Sequence, residues 1–237
     1  MPIPCYLALT AAEFANVCPL PEKIAWMACH FSCYGTGLSN LPETLPEGSM
    51  ILVNDRMPPD RHDPGKILEQ LQALEEAFRP DAFLLDFQRE GIALNQQIAR
   101  ALTEGLSCAI GVTPQYARDL SCPVFLEPPP LHMPPGKHIS PWEGREIWLE
   151  AALQTEEYRI TAQGCEIRTQ ENGPLPEPFF LEESVFCRYH TAVSQDAALF
   201  TLQRTAEDWQ TLLQETTGIT RAVGLYQQFG SNAIRST

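Results

Sequence analysis

Short apolar runs that end on a polar residue recur along the chain, separated by turns or by helical patterns. The runs KIAWMACHF (23–31), MILVND (50–55), AFLLDF (82–87), LSCAIGV (106–112) and PVFLE (123–127) each have the length of a buried strand. Between the second and third, KILEQLQALEEAF places Ile67, Leu68, Leu71, Leu74 and Phe78 at helical spacing. Asp63 and Pro64 just before it suit an N-cap and a first helical turn. A second helix is predicted near NQQIARALTEG, and Thr113-Pro114 opens a third, short one.

After residue 127 the alternation stops. PPPLHMPPGKHISPW (128–142) predicts an extended loop, because proline suits neither a helix interior nor a central strand. Residues 146–173 read as strands with a hairpin at Ala162–Gly164, and a helix over 146–157 is the competing reading. SVFCRYHTAV (184–193) and AALFTLQRT (197–205) are two further strands. Thr205, with Asp208 three residues on, then caps a helix that Gly218 stops, and TRAVGLYQQF (220–229) is the last strand.

Strands alternating with helices imply parallel pairing and right-handed crossovers. About eight strands fit a compact, irregular (β/α)8 TIM-type barrel with some helices lost, filling 1–237 as a single domain. An open doubly wound sheet is the alternative, weakened because no glycine-rich phosphate fingerprint follows a strand.

Charge and cysteine usage narrow the partners. A net charge of −14, with 16 Lys and Arg scattered singly, argues against nucleic acid or an anionic membrane. The amino terminus lacks a basic region, Pro2 and Pro4 interrupt it, and no run is long enough to span a bilayer. A cytoplasmic protein is expected, so the eight Cys, several of them inside strand-like runs, read as reduced thiols. Oligomeric state leaves no mark on the sequence.

In a barrel the chemistry lies where strands end. His30, Asp55, Asp86 with Gln88, Glu127, and Tyr226 with Gln228 all hold such positions. Strand alternation puts Ala82, Leu84, Asp86 and Gln88 on one face, and Phe83, Leu85 and Phe87 on the other. The larger apolar groups belong toward the helices, so Asp86 and Gln88 are expected at the mouth of the barrel. Trp26, Trp148 and Trp209 read as core, whereas Trp142 closes the Pro-rich loop beside the mouth, where its flat face suits a pyranose.

The stretch DAFLLDFQ resembles the fourth-strand motif D-G-x-D-x-D-x-E of chitinase-like family-18 glycoside hydrolases. Asp81 falls on its first Asp, Asp86 on its last and Gln88 on its terminal Glu, while Ala82 replaces the Gly and Leu84 the middle Asp. The run from Thr201 to Phe229 is similar to the end of such barrels. The resemblance implies a saccharide ligand and a general acid at position 88. Gln88 cannot hold and release a proton, so the acid is lost or has moved.

The expected catalytic candidates are therefore Asp86, Glu90 and Glu127, with His30, Asp55, Gln88, Trp142, Tyr226 and Gln228 contacting a saccharide or other small ligand. No cofactor is expected. A barrel enzyme holding a divalent metal on His30, Asp55, Asp86 and Glu127 is one alternative, and a non-catalytic binding protein is the other. Cys29-His30…Cys33 is a poor zinc site, since neighbours on a strand face opposite ways. The 32–48 and 128–142 loops are long enough to act as lids.

Overall fold

A computed structural model describes residues 3–58, 61–171 and 173–230. In chain order its first strands are β1 (Cys5–Leu9), β2 (Ile24–Phe31), β3 (Leu38–Ser39), β4 (Met50–Asn54), β5 (Ala82–Asp86), β6 (Ala109–Val112), β7 (Val124–Leu126) and β8 (Ile147–Ala151). Then come β9 (Gln154–Thr161), β10 (Gly164–Glu171), β11 (Phe180–Glu182), β12 (Cys187–Val193), β13 (Ala198–Gln203) and β14 (Ile219–Leu225). Strands β1, β2, β4–β8 and β14 pair in parallel, and β1 pairs with both β2 and β14. The sheet is a closed eight-stranded barrel, and the open doubly wound alternative is thereby excluded.

The helices are α1 (Ala11–Asn16), α2 (Pro64–Phe78), α3 (Ala93–Gly105), α4 (Pro114–Ala117), α5 (Pro135–Ile139), α6 (Ala206–Glu215) and α7 (Tyr226–Phe229). Four of the seven are one turn or little more, which is the helix loss the sequence predicts. Asp63 caps α2 through Gly65 N at 2.9 Å, and Thr205 with Asp208 forms a reciprocal capping box on α6. Ile67, Leu71 and Leu74 are the buried stripe of α2.

Several expectations need correcting. The amino-terminal run is the first barrel strand, so β5 is the fourth, the position that the resemblance assigns to DAFLLDFQ. The strands after β8 leave the barrel: β9–β13 form a separate antiparallel sheet in the order β10-β9-β13-β12-β11, inserted before α6. The hairpin turn at Ala162–Gln163 is where it was expected, and the helical reading of 146–157 is wrong. The Pro-rich loop contains α5, begun by Pro135 in the first-turn position where its missing N–H costs nothing. The last strand stops at Leu225, which places Tyr226 and Gln228 on α7.

Two clusters of apolar side chains follow from strand alternation. Tyr6, Ala8, Ala25, Met50, Ala82, Leu84, Phe125, Trp148 and Val223 fill the barrel interior. Phe83, Leu85 and Phe87 join Ile67, Leu71, Ile98 and Leu102 between barrel and helices. All eight cysteines are free thiols. Burial pushes Cys5, Cys29, Cys108 and Cys187 up to about 12, so these four stay protonated and inert near neutral pH.

The floor of the barrel is closed by Asp81. Its carboxylate pairs with Lys23 Nζ at 2.5 Å and accepts the Tyr6 hydroxyl at 2.9 Å, and its carbonyl accepts Arg221. Burial raises the Asp81 pKa, but the Lys23 and Tyr6 hydrogen bonds and the nearby cations outweigh it and hold the carboxyl below its ordinary value. The first Asp of the motif is thus spent at the floor.

Above it the Trp148 ring, with the Arg221 guanidinium 4.7 Å from its centroid, lies against Gly111. A Cβ at Gly111 would sit 2.1 Å from Trp148 Cε3, in a ring that cannot swing away inside a filled barrel. Gly111→Ala is expected to cost about 2 kcal/mol or more, lowering the thermal midpoint by roughly 4–8 °C. An unchanged midpoint would mean that Trp148 does not fill the interior at that layer.

Candidate active site at the barrel mouth

β5 delivers Asp86 to the mouth on the interior face, next to Asn54 at the end of β4. The Gln88 side-chain amide donates to Asp86 Oδ1. The segment that follows is fixed by buried Asp55, whose carboxylate accepts Gln88 N, Arg89 N and Asn95 Nδ2 at 2.9, 2.9 and 2.8 Å. Tyr116 donates its hydroxyl to the Arg89 carbonyl, and the Thr113 hydroxyl donates to Phe87 O at 2.9 Å. Thr113 therefore ties down the β5 loop and makes no side-chain cap on α4.

The sequence reading overlooked Glu150. On β8 it shares the interior face with Trp148, one step nearer the mouth, while Ile147, Leu149 and Ala151 face the helices. Burial, reinforced by the carboxylate charges of Asp86 and Glu127, pushes its pKa up to about 7. Asp86 is raised too: burial, with Asp55 and Glu127 adding their repulsion, outweighs the hydrogen bond from Gln88. Three strand-end carboxylates from β5, β7 and β8 thus interact, and one of them keeps a proton near neutrality. The signal was present in IWLEA, where Trp148 and Glu150 alternate with Ile147, Leu149 and Ala151, but the helical alternative over 146–157 obscured it.

A cleft of about 710 Å³ opens beside Asp86 and Gln88, with His30, Asn40, Asn54 and Asp55 in its wall. A second hollow of about 360 Å³ is lined by Glu90, Glu127, His138 and Trp142, and Gln88 borders both. Seven candidates line these hollows: His30, Asp55, Asp86, Gln88, Glu90, Glu127 and Trp142; Glu150 lines neither and is linked to them through the charges of Asp86 and Glu127. Tyr226 and Gln228 do not join them: Tyr226 packs on the outer core, and Gln228 Oε1 accepts Leu153 N at 2.9 Å.

His30 Nδ1 lies 2.9 Å from Phe31 O and Nε2 lies 2.9 Å from Asn40 Nδ2, contacts that orient the ring in the cleft wall. His138 donates from Nε2 to Glu127 O at 3.0 Å, and burial lowers its pKa. The metal alternative fails on geometry. Among the described residues no three His, Cys, Asp or Glu side chains gather closely enough to hold an ion, and the Asp55 carboxylate is already taken by N–H donors. Cys29 turns into the outer core while His30 lines the cleft.

The sequence matches no family profile and no curated protein. Solved structures do share its architecture. The C-terminal domain of a putative chitinase from Desulfitobacterium hafniense matches with a TM-score of 0.59 at 9% identity, over 100% of this chain and 97% of that one. The spore cortex-lytic enzyme SleL of Bacillus cereus gives 0.56 at 11%, over 94% and 70%. The GH18 chitinase of Cycas revoluta in complex with (GlcNAc)4 gives 0.52 at 9%, over 97% and 96%. At such identities the likeness establishes the fold alone: this chain shares the closed eight-stranded parallel barrel of those structures. No helix among the described residues is long and apolar enough to cross a membrane.

Proposed function

We propose that the protein is a divergent glycoside hydrolase that binds a saccharide across the mouth and protonates the leaving oxygen from Glu150. The observation that carries this reading is a partly buried carboxyl inside the barrel whose pKa is raised to about 7 beside a second carboxylate, Asp86. A carboxyl that holds its proton near neutrality close to a second carboxyl is what acid-assisted glycoside cleavage requires. Glu150 gives its proton to the glycosidic oxygen as the C–O bond breaks, and Asp86 offsets the positive charge developing on the sugar ring. Water then supplies the hydroxyl to the ring and a proton back to Glu150. Gln88, unable to titrate, orients Asp86 and offers its carboxamide oxygen to the ligand. Trp142 supplies a stacking face, and Glu90 and Glu127 shape the second hollow.

The neighbours support the ligand class, since one is a chitinase in complex with (GlcNAc)4. A binder without turnover is the second reading, favoured by Gln88 at the position where the resemblance expects an acid. Calorimetry with (GlcNAc)4, together with product analysis on the same samples, separates them. Binding with release of shorter oligomers is expected. Binding without products supports the binder, and restored cleavage in Gln88→Glu would then identify position 88 as the lost acid. Absence of binding to (GlcNAc)4 and to related saccharides defeats both readings.

A further inference from the structure

The cleft beside Asp86 holds two arginines, Arg56 and Arg89, and no other Lys or Arg among the described residues lines it. The chain carries a net charge of −14, and the carboxylates of Asp86 and Glu127 line the same pair of hollows. Arg89 is held in place before any ligand arrives. Its Nε donates to Asp55 O at 2.9 Å and its Nη2 to Arg56 O at 3.0 Å, while its backbone N–H is fixed by the Asp55 carboxylate. Neither arginine forms an ion pair among the described residues, and the Nη1 edge of Arg89 has no protein acceptor there.

A guanidinium locked by backbone carbonyls loses little conformational freedom when it meets an anion, and its planar fork matches a carboxylate. A saccharide without charge needs no such group. One with a carboxylate would be repelled by the acidic mouth unless a cation met it.

We propose that the cleft selects a saccharide bearing a carboxylate substituent, which Arg89 and Arg56 bind next to the Asp86–Gln88 pair. This rests on the saccharide reading above and specifies its substrate class. The carboxylate is stationary in the reaction: it fixes which ring sits beside Asp86 and takes no part in bond cleavage.

Three probes test it by calorimetry: N-acetylglucosaminyl-N-acetylmuramic acid, the same disaccharide with its lactyl carboxylate converted to the amide, and chitobiose. The acid form is expected to bind about tenfold or more tightly than the amide, the usual worth of a charge-assisted contact, and to lose that margin as salt is raised. Arg89→Gln should erase the difference between acid and amide. Because Arg89 also anchors the 88–95 segment, Arg56→Gln, whose side chain anchors nothing among the described residues, gives a second measure and should reduce the margin severalfold. Equal binding of all three probes overturns the charge selection and leaves the saccharide reading standing. Loss of the margin in neither variant overturns the assignment to these arginines. Failure of all three probes to bind overturns both.

Discussion

Replacing Glu150 by Gln is expected to reduce glycoside cleavage by about a hundredfold or more, the ordinary contribution of a positioned general acid, while saccharide binding persists. The isosteric amide fills the same space inside the barrel, so the loss separates proton donation from packing. In the parent protein, cleavage should fall as pH rises through about 7, where Glu150 gives up its proton.

The same substitution has an opposite effect on stability. Glu150 ionises near 4.5 when exposed and near 7 in the fold, so between those values the folded protein holds a proton that the unfolded chain has lost. Stability therefore falls as pH rises across that window. Below pH 4.5 the penalty is absent, and above pH 7 it is fully present, at about 3 kcal/mol. Glu150→Gln should then raise the thermal midpoint at pH 8 and leave it unchanged at pH 4. A variant that keeps full turnover would remove Glu150 from the mechanism. A pH-independent midpoint difference would mean that Glu150 ionises at the same pH in the folded and the unfolded chain.

Asp55→Ala carries the second large effect. Asp55 is 2% exposed and satisfies three N–H donors from the segment that closes over β5. Removing it strands those donors under the mouth, at about 3 kcal/mol or more, or roughly 6–12 °C in the midpoint for a chain of this length. Asp55→Asn, which keeps one acceptor oxygen, should lose less. The amide protons of Gln88 and Arg89 should exchange with solvent faster in both variants. Midpoints within about 2 °C of the parent, with exchange unchanged, would show that the segment is held by Tyr116 and Thr113 alone. Asp55 thus acts through the backbone that carries Gln88 and Arg89, a role distinct from that of Asp86.

Much of the architecture is written locally. The run AFLLDFQ specifies its own alternation, because a strand has two faces and large side chains must pack against helices. That alone places Ala82 and Leu84 inside, Phe83, Leu85 and Phe87 outside, and Asp86 at the mouth. Caps at Asp63 and Thr205 depend on contacts two or three residues away, so they too are readable. The first strand was hidden because CYLAL is apolar on both faces and sits behind prolines, leaving no period to detect. The five-stranded insertion was hidden for a different reason: its strands look like barrel strands one at a time, and only pairing among distant segments assigns them to another sheet.

The chemistry follows the same division. Sequence determined that Asp86 and Gln88 share a wall and that position 88 cannot supply an acid. Tertiary structure alone decided that Glu150 is held in the barrel within reach of the charges of Asp86 and Glu127, which with burial raise its pKa. It also decided that Asp55 is consumed by backbone donors, and that Tyr226 and Gln228 leave the mouth with α7. A strand's alternation is a property of a few consecutive residues, whereas proton affinity and hydrogen-bond saturation depend on what the closed barrel brings within reach.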